Sequence, residues 1–233
     1  MNHFLGIRLH NLEVYNWGTF HKKAWNFSLE GYTSLLTGTS GSGKSTLVDA
    51  LITLLVPPRK VAYNKAADAS SKERSVKSYV LGYYGRKYSL EGRGKPEALR
   101  DTSNYSVILA TFRDLDRKQT TSLAIFFWFK DNETEPNRMY VISNQELFIN
   151  EDFVNFHSDI RFLRNQLKKK GAKIYDSFPQ YGEYYRKQLG NISEQAIELF
   201  QQMISVKQVD SLNTFVRTSM LEKKTPKNKL ANY

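Results

Sequence analysis

The chain has 233 residues, with 34 Lys and Arg against 23 Asp and Glu, a net charge of +11 and no cysteine. This length favours one large domain that buries its own core. The lack of cysteine excludes disulfides, thiolate metal sites and cysteine nucleophiles. The positive charge is typical of a protein that binds a polyanion, although a purely solubilising surface has the same composition.

Membrane and export signals are not evident in the sequence. The first residues lack the basic region and apolar run of a secretion signal. No stretch approaches the roughly 20 uninterrupted apolar residues that cross a bilayer. We therefore expect a cytoplasmic protein without membrane contact.

Short extended stretches open the chain, and turn residues separate them. Alternating and β-branched content predicts strands over 4–9, 12–15 and 24–29, and a further apolar strand over Thr33–Thr37. After Lys44, apolar residues recur at helical spacing as far as Leu55. Pro57 and Pro58 are expected to end this helix.

A phosphate-binding motif lies between the predicted strand and helix. Residues 38–45, Gly-Thr-Ser-Gly-Ser-Gly-Lys-Ser, match G-x-x-x-x-G-K-[ST] at every fixed position. Glycines let backbone N–H groups turn towards phosphate oxygens, Lys44 supplies charge to the β- and γ-phosphates, and the Ser45 hydroxyl suits Mg²⁺. The predicted ligands of ATP in this stretch are Gly38, Thr39, Ser40, Gly41, Ser42, Gly43, Lys44, Ser45 and Thr46.

Hydrolysis in this class also needs an acidic residue at the end of a second strand. Asp114 and Asp131 follow apolar runs, but Arg113 and Lys130 interrupt those runs before each carboxylate. Solvated hairpin ends are the favoured interpretation of both aspartates. The sequence therefore predicts a part of an ATPase.

The rest of the chain shows three kinds of pattern. Residues 59–104 are polar and basic without a sustained period, which predicts a long functional loop or a partly ordered insertion. Residues 105–112 and 122–129 predict an antiparallel hairpin, with a third strand over 140–142. An apolar stripe predicts a helix over 151–170 that ends at Gly171, and a further helix from Asn191 or Ser193 to about Ser205.

Several stretches around the motif resemble one family. They are Trp17-Gly18-Thr19-Phe20, Leu36-Thr37-Gly38, Ser45 to Ala50, Leu55-Val56-Pro57, Tyr63 to Ala67 and Ser78 to Gly82. Together they resemble the N-terminal head segment of SMC-like ATPases, in the MukB-like branch and especially the JetC type of Wadjet plasmid-defence condensins. The resemblance implies an α/β fold: the N-terminal lobe of a P-loop NTPase head of the ABC/SMC type, with an antiparallel β subdomain and C-terminal helices that lead to a coiled coil. Within this lobe, which spans residues 1–233, residues 1–58 contain strands, the phosphate-binding loop and the following helix, and residues 59–104 are a basic insertion. Residues 105–150 contain antiparallel strands, and residues 151–233 are a helical segment with the Q-loop and the root of a coil.

The resemblance also implies partners and one further catalytic residue. In such proteins a C-terminal half carries the signature and Walker B motifs, and two heads engage on ATP with double-stranded DNA, kleisin-type subunits and accessory subunits. This sequence contains no Leu-Ser-Gly-Gly run and reaches Tyr233 without heptads, so we expect a half head that hydrolyses ATP only with the other half and a second head. Gln208 occupies the position of the Q-loop glutamine, which implies contact with Mg²⁺ and with the attacking water.

Aromatic and basic residues leave alternatives open. Tyr15, Trp17 and Phe20 precede the motif, and any of them, Trp17 first, could stack on a nucleotide base or pack in the core. Contact with DNA phosphates is one interpretation of the basic residues Arg59, Lys60, Arg86, Lys87, Arg93, Lys95, Lys168–Lys170 and Lys223-Lys224. The alternatives are a helix ending for Lys168–Lys170, the solvated root of a coil for Lys223-Lys224, and a solvated surface for the others. The four histidines show no ligand spacing. A stand-alone nucleotide or small-molecule kinase, and a basic nucleic-acid-binding module with structural ATP, are the alternative functions.

Overall fold

The fold is organised around one six-stranded antiparallel sheet with the strand order β2-β1-β5-β6-β7-β8. The computed structural model describes residues 6–61, 63, 75–87, 95–131 and 133–205. The sheet strands are β1 (Arg8–Trp17), β2 (Phe20–Ser28), β5 (Ser106–Asp114), β6 (Gln119–Trp128), β7 (Asn137–Ser143) and β8 (Lys173–Tyr175). Strands β3 (Tyr83–Lys87) and β4 (Lys95–Ala98) pair with each other as a separate hairpin.

Helices cover both faces of the sheet. They are α1 (Lys44–Leu55), α2 (Val76–Leu81), α3 (Ile149–Asp152), α4 (Ile160–Lys169), α5 (Phe178–Gln188) and α6 (Glu194–Ser205). Side chains alternate along β5, so Ile108 and Ala110 join the core under α1, α2 and α5, while Val107 and Leu109 join the core under α3 and α4. The chain is therefore a mixed α/β fold with an antiparallel sheet between two helical layers.

The β-strands of the N-terminal region differ from the prediction in their bounds. The strands predicted over 4–9 and 12–15 form one strand, β1, and residues 4 and 5 lie outside the described residues. A register shift between Leu9 and Asn11 in the pairing with β5 lets one strand continue through the polar break. The predicted hairpin is confirmed as β5 and β6, and β7 is its predicted third strand.

The strand predicted over Thr33–Thr37 is absent. These residues belong to no strand, and Leu35 and Leu36 are 88% and 47% exposed. Their backbone makes no backbone hydrogen bond to another residue in the described ranges. A strand needs a hydrogen-bonded neighbour, so apolar content alone does not form one here.

The helix predicted over 151–170 is broken in the middle. Asn155, His157 and Ser158 have positive φ angles of 56°, 47° and 61°, which a continuous right-handed helix does not allow. Asp159 then caps α4 by accepting hydrogen bonds from the N–H groups of Arg161 and Phe162. The predicted ending at Gly171 is confirmed, since its φ is 79° and its N–H bonds to Lys168.

The 59–104 segment contains regular structure that its composition did not predict. Helix α2 begins with a capping box between Ser75 and Ser78, and the β3–β4 hairpin follows it. The predicted C-terminal helix is confirmed as α6. Within the described ranges, none of the helices has the length and apolar character needed to span a bilayer.

Candidate nucleotide-binding site

The motif forms a loop between β2 and the start of α1. Gly38, Gly41 and Gly43 have φ angles of 152°, 80° and 94°, a region that side chains disfavour. The Ser42 N–H bonds to the Thr39 carbonyl oxygen at 3.3 Å. The Lys44 ammonium donates to the carbonyl oxygens of Gly38 at 2.6 Å and Thr39 at 2.7 Å, so it lies inside the curl of the loop.

The N-terminus of α1 faces this loop without a capping side chain. Gly43 occupies the cap position in the left-handed region, and no side chain accepts from the first N–H groups of the helix. The N–H groups of Lys44, Ser45 and Thr46 therefore remain available to an anion, and the helix dipole adds to the attraction. The Ser45 hydroxyl lies in the same turn, so the donors suit a phosphate chain and the hydroxyl suits Mg²⁺.

The turn between β1 and β2 packs directly behind the loop. The Trp17 indole N–H donates to the carbonyl oxygen of Thr46 at 3.1 Å. Gly18 has a φ of 55°, and a Cβ there would lie 2.5 Å from Thr46 Cγ2. A Cβ on Gly43 would lie 2.8 Å from the Phe20 ring. Glycine is thus needed at both positions, and the turn fixes the back of the phosphate loop.

A buried arginine holds this turn in place. Arg100 is 5% exposed, and its Nε and Nη2 donate to the carbonyl oxygens of Val80, Gly18 and Tyr79 at 2.8 to 2.9 Å. Its Nη1 lies 3.4 Å from both the Phe20 oxygen and His21 Nδ1. All five guanidinium donors can thus be satisfied without a carboxylate. Burial lowers the pKa of Arg100 to about 10, so the side chain stays charged at neutral pH.

Helix α1 is anchored along its length by buried polar groups. The Tyr79 hydroxyl from α2 donates to the fully buried Asp49 carboxylate. At the other end of α1, the Tyr181 and Tyr185 hydroxyls from α5 donate to the carbonyl oxygens of Leu54 and Leu55. These tyrosines satisfy carbonyls that every helix C-terminus leaves unpaired. The helix that presents its N-terminus to the loop is therefore a fixed element.

Of the two alternatives for Trp17, base stacking and core packing, the structure supports core packing. It is 0% exposed, and its ring stacks on Tyr79 at 4.8 Å and on Phe127 at 5.8 Å. Both ring faces are covered because the turn packs under α1, so Trp17 is a core residue in this structure. Phe20 is 7% exposed, and Tyr15 packs on Tyr105 at 4.9 Å.

The other predicted residues have separate outcomes. Gln208, Arg93, Lys223 and Lys224 lie outside the described residues. Asp114 is a hairpin end as predicted, but it is buried, and its carboxylate accepts from the N–H groups of Asp116 and Arg117. Asp131 is exposed. Neither is near other acids in a metal-binding group, and the described ranges contain no cluster of three or more His, Asp or Glu that could hold a metal ion.

The basic residues divide between paired and exposed side chains. Lys60 pairs with Glu198, and Lys170 lies 2.5 Å from the buried Asp152 carboxylate, so both have structural partners. Arg59, Lys168 and Lys169 are exposed. The sequence analysis assigned no role to Arg100. The carbonyl oxygens that accept its hydrogen bonds belong to segments about 20 and 80 residues away along the chain.

One comparison with known proteins, a family match, covers the same loop. Residues 9–70 match the family described as the P-loop containing region of an AAA domain. No curated protein matches the chain. A solved chain from a study of ATP-driven dimerisation and DNA-stimulated activation of SMC ATPases is 13% identical, with a TM-score of 0.42, over 92% of this chain and 99% of that chain. The family match thus covers β1 from Leu9 onwards, β2, the phosphate loop and α1.

Proposed function

We propose that the chain is the ATP-binding half of an SMC-like ATPase head that couples ATP-driven engagement of two heads to DNA organisation or plasmid DNA processing. The main observation in support is the phosphate loop of residues 38–45, which has an uncapped helix N-terminus in front and a packed turn behind. The match of residues 9–70 to a P-loop family supports ATP binding. The proposal also includes membership of the MukB-like branch, kleisin-type and accessory subunits as partners, and a cytoplasmic location. These more specific parts rest on the sequence resemblance.

Each residue of the loop has a role in this proposal. The N–H groups of 39–46, apart from that of Ser42, bind phosphate oxygens, and the Lys44 ammonium turns from its own loop carbonyls to the β- and γ-phosphates. The Ser45 hydroxyl and the Gln208 amide oxygen would hold Mg²⁺, which would neutralise phosphate charge when bound. Gln208 also orients the attacking water in this scheme.

Exposed apolar residues support the proposal of a second head half. Leu35 and Leu36 precede the loop, are exposed, and have no strand partner among the described residues. A strand supplied by the C-terminal half would cover them and bring the acidic residue that hydrolysis requires. We accordingly propose that the chain alone binds ATP but does not turn it over, and steady multiple turnover by the pure chain would refute the half-head assignment.

Replacement of Lys44 tests the binding site. Lys44→Ala removes a charge-assisted contact worth roughly 1.5–3 kcal/mol, so the affinity for ATP with Mg²⁺ should fall by about 10- to 150-fold. The measurement is a calorimetric titration. Lys169→Ala, on the exposed end of α4, is the matched control and should bind like the wild type. An unchanged affinity of the Lys44→Ala variant would remove the basis of the proposal.

A further inference from the structure

An exposed tryptophan lies on the edge strand next to the phosphate loop. Trp25 is in β2, the outer strand of the six-stranded sheet, and its side chain is 40% exposed. The Lys23 ammonium lies 5.1 Å from the centre of the Trp25 ring. This pair combines an accessible aromatic ring with a positive charge on one short stretch of strand.

Contacts connect this pair to the phosphate loop through one intervening ring. The Phe20 ring lies against Gly43, at the junction of the loop and α1. The same ring forms a T-shaped pair with Trp25, with ring centres 5.6 Å apart and planes at 62°. Trp25 is therefore one aromatic ring away from the site that binds phosphate in the proposed function.

The three aromatic residues that the sequence suggested for base stacking do not offer a free ring face. Trp17 is covered on both faces, Phe20 is buried between the loop and Trp25, and Tyr15 packs on Tyr105 in the core under α3 and α4. Trp25 differs because it lies after the turn, on a strand with no outer neighbour in the described sheet. It keeps an accessible surface beside the loop.

We propose that Trp25 stacks on the base of the bound nucleotide and that Lys23 supports the same subsite by its charge. The inference rests on the proposed function, because it places the base of a nucleotide whose phosphates lie in the loop. A base and an indole ring stack through their flat faces, and a nearby cation adds attraction to a π system. The subsite distinguishes a nucleoside triphosphate from a bare triphosphate, which has no base to stack.

Two ligands separate base binding from phosphate binding. Stacking of a base on an aromatic residue typically changes affinity by about tenfold or more on alanine substitution. Trp25→Ala should therefore weaken Mg²⁺-ATP by about tenfold in calorimetry and leave Mg²⁺-tripolyphosphate unchanged. Trp25→Phe keeps a ring and should restore most of the ATP affinity. Phe162→Ala, an aromatic on α4 with a similar exposure of 46%, should change neither ligand.

Fluorescence gives a second readout that does not depend on the affinity change. The chain has three tryptophans, and only Trp25 is both exposed and beside the loop among the described ones. ATP should alter the emission of the wild type, tripolyphosphate should not, and Trp25→Phe should abolish the ATP response.

Each contrary result overturns a defined part of the inference. Equal ATP affinity of Trp25→Ala and wild type excludes stacking, and an equal loss for both ligands shows that Trp25 acts through Phe20 on the loop. Binding of a single-stranded oligonucleotide that depends on Trp25, with unchanged ATP affinity, assigns the pair to nucleic acid instead. If the wild type binds tripolyphosphate as tightly as it binds ATP, the base adds no affinity and only the proposed base subsite is refuted. If it binds neither ligand, the proposed function fails as well.

Discussion

Arg100→Met is the sharpest test of how the turn behind the phosphate loop is held. Methionine approximates the aliphatic part of arginine but donates no hydrogen bond. The Tyr79 oxygen keeps another donor, the Gly18 N–H at 2.8 Å. The buried oxygens of Gly18 and Val80 lose the Arg100 donor, and no other backbone N–H outside the regular elements bonds to them within the described ranges.

The expected cost follows from these two carbonyls. A buried acceptor without a partner costs about 1–3 kcal/mol, so two of them at about 1.5 kcal/mol each destabilise the fold by about 3 kcal/mol. For a chain of this size, about 3 kcal/mol corresponds to a melting temperature lower by about 6–12 °C. Circular dichroism against temperature measures the shift. Arg100→Lys keeps a charge and three donors and should recover part of the loss.

A control and a refuting outcome complete this experiment. Arg161→Met removes an exposed arginine from the surface of α4, and it should change stability by no more than about 0.5 kcal/mol. If Arg100→Met melts within about 2 °C of the wild type, the carbonyls find other partners and the assigned role of Arg100 is wrong. Because Gly18 and Phe20 contact Thr46 and Gly43, weaker ATP binding should accompany the lower melting temperature.

Two further predictions concern pH and salt. Burial raises the pKa of Glu13, although hydrogen bonds from the Ile149 N–H and Asn11 oppose the rise, so its charged form is disfavoured in the folded state. At pH values between the unfolded and the folded pKa of Glu13, the folded state binds more protons than the unfolded state, so the free energy of unfolding falls as pH rises. Wild type should therefore lose stability relative to Glu13→Gln between pH 4 and pH 7, as measured by urea unfolding. A stability difference that stays constant over this range would contradict the prediction. DNA binding through exposed cations such as Arg59 should fall steeply with salt and show no preference between unrelated duplexes in fluorescence anisotropy, and salt-insensitive binding would exclude phosphate contacts.

Local patterns predicted the features that depend on neighbouring residues. The phosphate motif fixes residue types at set spacings, so its position and the start of α1 follow directly from residues 38–45. The β5–β6 hairpin follows from two apolar runs with a short polar link, and the end of α4 follows from Gly171. In each case the information lies within about ten residues of the feature.

Features that depend on distant residues were not predictable in this way. The carbonyls that bind Arg100 belong to a turn and to α2, far from it in the sequence, and a lone arginine in a basic chain carries no signal of burial. Trp17 and Trp25 are the same residue type eight positions apart. Only the packing of the turn under α1 covers the first and leaves the second exposed. The sequence alone does not distinguish the buried tryptophan from the exposed one.

The segment before the phosphate loop shows why one prediction failed and what the failure implies. Thr33–Thr37 has the apolar content of a strand, and successive side chains of a strand point to opposite sides. Leu35 and Leu36 would thus need cover on both faces, which is the pattern of a strand inside a parallel sheet between helices. In this structure the six-stranded sheet does not include the segment, and the two leucines are exposed. The segment therefore has the composition of a strand but no sheet neighbour among the described residues, and those residues include no acidic cluster that could hold a metal ion. A separate polypeptide segment that supplies both would account for the two observations together.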